Sequence, residues 1–107
     1  MCELRRVLRK VVPRRNPNPS WLKQSLIYEV KVIAMRSGEW GECFFDDRLI
    51  HINKSLPLVD QIRTLIHEYC HANWPDLPEN AILAKEETYW LALTGEVLGT
   101  LITILTS

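Results

Sequence analysis

The sequence predicts an α+β fold, a small antiparallel or mixed sheet followed by a helical hairpin. Three observations carry this. A period-two alternation runs through Leu26 to Met35, and a second β-rich run spans Cys43 to Asn53. Apolar residues then recur at helical spacing from Leu58 to about Asn73. A further acidic and apolar run opens at Pro78. With 107 residues, 47% of them hydrophobic, the chain suits one domain with its own core, and disorder is excluded for its bulk.

Each element has a local justification. Leu4, Val7, Leu8, Val11 and Val12 are spaced as on a short amphipathic helix over 1–12. Pro13, Pro17 and Pro19, with Asn16 and Asn18, then break the chain. We therefore divide it into a basic arm and Pro-rich linker, 1–20, and a folded domain, 21–107. Trp21 to Gln24 suits a helical turn. Tyr28, Val30 and Val32 fall on one face of the first strand, and Glu29 and Lys31 on the other. Ser37-Gly38-Glu39-Trp40-Gly41 is a turn or loop. The second strand, Cys43 to Asn53, carries a bend at Asp46-Asp47, and the short connection predicts antiparallel pairing of the two strands. Ser55 is a candidate helix cap with Pro57 inside the first turn. Leu58, Ile62, Leu65, Ile66 and Tyr69 define the buried face of the helix that follows. Trp74 to Pro78 is a tight connection. The last helix runs from Pro78-Glu79 to about Leu98, with Ile82, Leu83, Trp90, Leu93 and Val97 as its apolar face. Leu101 to Leu105 either extends that helix or packs back as an extended piece.

The formal net charge is zero, but its distribution is uneven. Residues 1–19 hold six basic side chains against Glu3 alone, and the rest of the chain holds 7 basic and 12 acidic ones. A basic arm on an acidic body suits weak contact with nucleic acid or an acidic partner; a solubilising arm is the plainer expectation. Cys2, Cys43 and Cys70 fit no disulfide framework, so reduced thiols in a cytoplasmic protein are expected. The N-terminus has no apolar signal core. The apolar run from Tyr89 to Leu105 is interrupted by Gly95, Glu96 and Gly99 and is short for a span, so no membrane partner is expected.

His67-Glu68-Tyr69-Cys70-His71 reads H-E-x-x-H inside the predicted helix. Positions i and i+4 share a helix face, so both imidazoles reach one metal ion, and the glutamate between them lies beside a water on that metal. Tyr69 and Cys70 are uncharged, as an inward-facing helix requires. A catalytic zinc takes three protein ligands and leaves one position open. A short turn makes the next helix an antiparallel neighbour, and the position opposite His67 then falls near residue 85. This places Glu86 or Glu87 opposite the histidines and sets Glu79 aside as too near the turn; Glu86, nearer the centre of the apolar face on a helical wheel, is taken as third ligand with Glu87 as runner-up. Glu68 is the expected general base. Tyr28, His51 and Tyr89 are candidate oxyanion donors. Cys70 is expected to be an inert buried thiol. The leading expectation is a Zn2+-dependent metallopeptidase acting on a protein or peptide. The alternative is a non-catalytic zinc-binding regulator or inhibitor that binds a protein partner.

These residues also carry a family resemblance. Asp47-Arg48-Leu49-Ile50-His51-Ile52, then Gln61 to Ala72, then Pro75-Asp76-Leu77-Pro78-Glu79 make the chain resemble small gluzincin-like metallopeptidases of phages and prophages, related to the ImmA/IrrE-like and minigluzincin families. The resemblance covers about residues 27–98. It implies a minimal zincin-like core of a small twisted sheet, an active-site helix and an antiparallel "glutamate helix". It further implies zinc held by His67, His71 and a glutamate of that last helix, with Glu68 catalytic, in an intracellular phage-type hydrolase. Gluzincins often place an Asp four residues after the glutamate ligand to orient a histidine. Here those positions are Trp90 and Leu91, so the outer shell departs from the pattern. The resemblance is also compatible with a peptide added to a sheet edge, or with a site covered by the N-terminal arm as in a zymogen.

Overall fold

The computed structural model describes residues 19–107. The expected helix over 1–12 and most of the basic arm lie outside the described residues. The order is helix α1 (Ser20–Ser25), strands β1 (Glu29–Ile33), β2 (Gly41–Phe44) and β3 (Leu49–Asn53), then helices α2 (Leu58–Asn73), α3 (Glu79–Leu91) and α4 (Gly95–Thr106). This is an α+β fold with a small mixed sheet.

The sheet order is β1-β3-β2. β2 and β3 form an antiparallel hairpin in which Gly41 faces Ile52 and Phe44 faces Leu49. β1 joins the other edge of β3 in parallel, with Glu29 opposite Leu49 and Ile33 opposite Asn53. Two expectations are corrected here. The run from Cys43 to Asn53 is a hairpin rather than one bent strand. Its turn takes in Asp46-Asp47 and ends at Arg48, whose φ of 50° is left-handed. β1 is therefore parallel to the strand it contacts, because the chain reverses twice, once before β2 and again at the hairpin, before β3 arrives.

Side-chain alternation then builds the core. Ile50 and Ile52 on β3 are fully buried beneath α2. Along α2, Ile62, Leu65, Ile66 and Tyr69 follow the 3.6-residue period and are at most 4% exposed. Each of the three aliphatic side chains contributes about 1.5–3 kcal/mol on burial, which explains why α2 is the centre of the fold. Gly41 fixes how closely β2 approaches it. A Cβ there would lie 2.8 Å from both the His51 carbonyl oxygen and the Thr64 methyl group, one a backbone atom and the other buried. β2 can lie against the helix only because position 41 carries no side chain.

The six residues of α1 are too few to persist alone. Leu22 is fully buried, and Trp21 stacks on Tyr89 at 4.8 Å. The Asn73 amide, at the end of α2, approaches Trp21 O, Ser25 Oγ and Tyr69 O at 3.0, 2.7 and 2.8 Å. Asn53, only 2% exposed, ties the other end: it donates to Glu39 O at 2.7 Å and accepts from Ser55 N and Oγ at 3.1 and 2.9 Å. Ser55 is thus engaged by Asn53 instead of capping α2, and Pro57 stands just outside the helix as its N-cap.

The last apolar run is also two helices rather than one. α3 ends at Leu91, and Thr94 caps α4 by accepting from Val97 N at 3.2 Å. The two helices turn through 116°. Val97, Leu101 and Leu105 then recur at i, i+4 and i+8 into the core, so the undecided tail is helical. Leu83, expected on the apolar face of α3, is 50% exposed. Among the described residues, no single helix is long and apolar enough to cross a membrane.

Candidate metal centre

The H-E-x-x-H run sits in the last two turns of α2 and ends two residues before the last helical residue, Asn73. The turn over Trp74 to Pro78 reverses the chain, with Leu77 N donating to Trp74 O at 3.2 Å. Pro78 has the extended geometry of an N-cap, φ −69° and ψ 161°, and Glu79 is the first residue of α3. A side chain at that first position is not confined by a preceding helical turn. It reaches back over the end of α2, and its two oxygens divide between the histidines. Oε2 lies 3.1 Å from His67 Nε2, and Oε1 lies 3.1 Å from His71 Nε2.

His67, His71 and Glu79 present one donor atom each, all within 4.8 Å of one another. Neighbouring ligand atoms on a tetrahedral zinc with about 2.0–2.1 Å bonds are separated by about 3.3 Å. The two 3.1 Å separations run to different oxygens of Glu79; with one oxygen as donor, the three donor atoms lie within 4.8 Å of one another. Two imidazoles and a carboxylate are also a donor set that zinc accepts in catalytic sites. The residues present therefore fit the ion that the motif implies.

The carboxylate shared by the Nε2 atoms is the one that the register argument set aside. That argument did find a neighbour of His67, but on the other side of the ring. Glu86 Oε1 lies 2.8 Å from His67 Nδ1. A carboxylate there accepts a hydrogen bond from Nδ1–H in the tautomer that leaves the Nε2 lone pair for a metal. Glu86 Oε2 accepts from Arg63 Nε at 2.9 Å, and Glu87 Oε1 accepts from Arg63 Nη2 at 2.8 Å. Glu87 is 56% exposed and approaches neither histidine. Glu79 is spaced eight residues from His71, and Glu86 is two helical turns further along the same face. Only the path of the turn distinguishes their roles.

Glu68 faces the sheet side of α2 and is 7% exposed. Burial pushes its carboxyl up to about 7; His67 opposes this, and the carboxylates of Glu79, Glu42 and Glu86 add to it. The thiols nearby are poor competitors for a metal. Burial, with Glu68 second, raises Cys43 to about 12, and burial, with Glu86 next, raises Cys70 to about 12. Cys70 is an inert buried thiol on these terms.

The raised Glu68 carboxyl has a measurable consequence. Its folded value lies above the ordinary 4.5, so the fold favours the protonated form. That stability is fully present below about pH 4.5 and is lost as pH rises through about 7. At about 1.4 kcal/mol per unit, the loss is on the order of 3 kcal/mol. Urea unfolding in excess chelator should show wild type losing more stability between pH 5 and pH 8 than Glu68→Gln does. Equal losses in the two proteins would refute the burial argument.

A cavity of about 560 Å³ opens beside this cluster. His67, Glu68, Glu79 and Glu86 line one end, and Trp40, Gly41 and Leu83 border it at the edge of the sheet and on α3. The three candidate oxyanion donors do not line it. Tyr89 stacks between Trp21 and Trp74, and His51 packs edge-on against Phe44 at 5.0 Å on the opposite face of the sheet from Ile50 and Ile52. Tyr28 packs against the core beside Cys43, away from the cavity. Comparison with family models, with curated proteins and with solved structures finds no match for the chain.

Proposed function

We propose that the protein is a zinc-dependent metallopeptidase, with His67, His71 and Glu79 as ligands and Glu68 as general base. The observation that carries this reading is the Glu79 carboxylate, 3.1 Å from Nε2 of both motif histidines, beside the buried Glu68. Zinc bound there supplies Lewis acidity, which acidifies water and polarises a carbonyl group. Glu68 takes the proton from the attacking water and passes it to the leaving amine. A buried glutamate in the same cavity lining as His67 and Glu79 is placed for both transfers. Glu86 keeps the Nδ1 proton of His67 on its own side of the ring.

The substrate on this reading is an extended peptide. β2 is an edge strand, and Gly41 at its start borders the cavity together with Trp40, so a peptide pairing with that edge passes the cluster. Cys43 and Cys70 are free thiols, in keeping with a reducing cytoplasm. The test is metal analysis of the purified protein together with cleavage of a broad peptide library. One zinc per chain is expected, with cleavage abolished by a chelator and restored by zinc. A zinc-loaded wild type that cleaves no member of the library would overturn the peptidase reading and leave a zinc-binding protein.

A further inference from the structure

We propose that Arg63 is a positioning residue for the metal centre: it fixes Glu86, and Glu86 in turn orients His67. This rests on the zinc reading of His67, His71 and Glu79.

Arg63 lies on α2 one turn before His67. Three groups of α3 hold it. Nε donates to Glu86 at 2.9 Å, Nη2 donates to Glu87 at 2.8 Å, and the guanidinium lies over the Trp90 ring at 5.0 Å. A guanidinium is planar, and its N–H groups point in fixed directions, so two carboxylates and a ring face leave it one orientation. Glu86 needs such a partner. It is 14% exposed, and the carboxylates of Glu68 and Glu79 line the same end of the cavity. An unpaired anion there would be desolvated and repelled by its neighbours. With Oε2 held by Arg63, Oε1 is aimed at His67 Nδ1, 2.8 Å away. Glu87 and Trp90 act one step further out, by holding Arg63.

Removing Arg63 leaves the metal ligands in place and frees the group that orients one of them. Outer-shell losses of this kind typically weaken metal binding about 10–100-fold. The experiment is zinc affinity by competition with a chromophoric chelator, with thermal melting of each protein alongside. Arg63→Met and Glu86→Gln should each weaken zinc by about 10–100-fold. The double variant should bind no more weakly than Glu86→Gln alone, because Arg63 acts through Glu86. Arg63→Lys should recover part of the affinity, since it restores the charge but not the fork. Glu87→Gln changes a side chain that is 56% exposed, so it folds readily, and it should weaken zinc by a smaller factor.

Unchanged zinc affinity in both Arg63→Met and Glu87→Gln would overturn the proposal. So would a double variant whose losses add in full, since Arg63 would then act by packing alone. Either result with a zinc-binding wild type refutes the positioning role and leaves the zinc site standing. A wild type that takes up no zinc refutes both.

Discussion

Glu79→Gln should weaken zinc binding by more than about 100-fold, beyond the 10–100-fold range typical of outer-shell partners. The substitution keeps the length and shape of the side chain but removes the charge that lies between the two Nε2 atoms at 3.1 Å. The neutral amide is a poorer zinc donor. Glu86→Gln touches only Nδ1 of His67 and should fall within the outer-shell range; Glu87→Gln should fall below it. This order is the decisive quantity. If chelator competition ranks Glu86→Gln above Glu79→Gln, the ligand assignment moves to Glu86, as the spacing argument alone would have it. Glu79 is 59% exposed and the first residue of α3, so loss of fold is not an available explanation for a large effect.

The second large effect falls on turnover instead of binding. Glu68→Gln should retain zinc and lose about 10²–10⁴ of the hydrolysis rate, the usual contribution of a positioned acid–base group. Glu68 lines the cavity beside the two histidines, but neither Nε2–carboxylate contact involves it. Glutamine fills the same buried space and removes the titrating oxygen. Zinc content and single-turnover cleavage, measured on the same preparation, separate the two roles. A variant that still cleaves at the wild-type rate removes Glu68 from the mechanism.

Much of this arrangement was legible in the residues, and the failures have physical causes. The α2 face was readable because Ile62, Leu65, Ile66 and Tyr69 all obey one period and all enter the core. Period-two alternation also placed β1 correctly, with Glu29 and Lys31 outward. Pairing was a different matter. Asp46-Asp47 read as a bend because β-rich residues continue on both sides, yet the backbone at Arg48 closes a hairpin there and reverses the direction of everything after it. Alternation within a strand carries no information on the strand beside it. The split between α3 and α4 had a signal, a Thr94 cap ahead of Gly95, but Leu93 and Val97 keep nearly helical spacing across the break and mask it. The approach of Glu79 to both histidines was missed for a geometric reason. Counting residues outward from a turn assumes two straight helices with side chains leaving at right angles. At the first residue of a helix the side chain is free to reach backwards, and Glu79 does so.

All three donor groups come from residues 67–79, two helix ends and the turn that joins them. An ion bound there would cross-link neighbours in sequence, and closing so short a loop removes little freedom from the unfolded chain. Metal would therefore add little chain entropy to the stability of the molecule as a whole. The Ile50 and Ile52 layer and the Val97, Leu101 and Leu105 stripe lie outside the loop it closes. The centre is thus local in sequence, although the helix that carries both histidines is the middle of the core. Its geometry is set by Trp74 to Pro78, so insertions in that turn would abolish it while the remainder of the protein continues to fold.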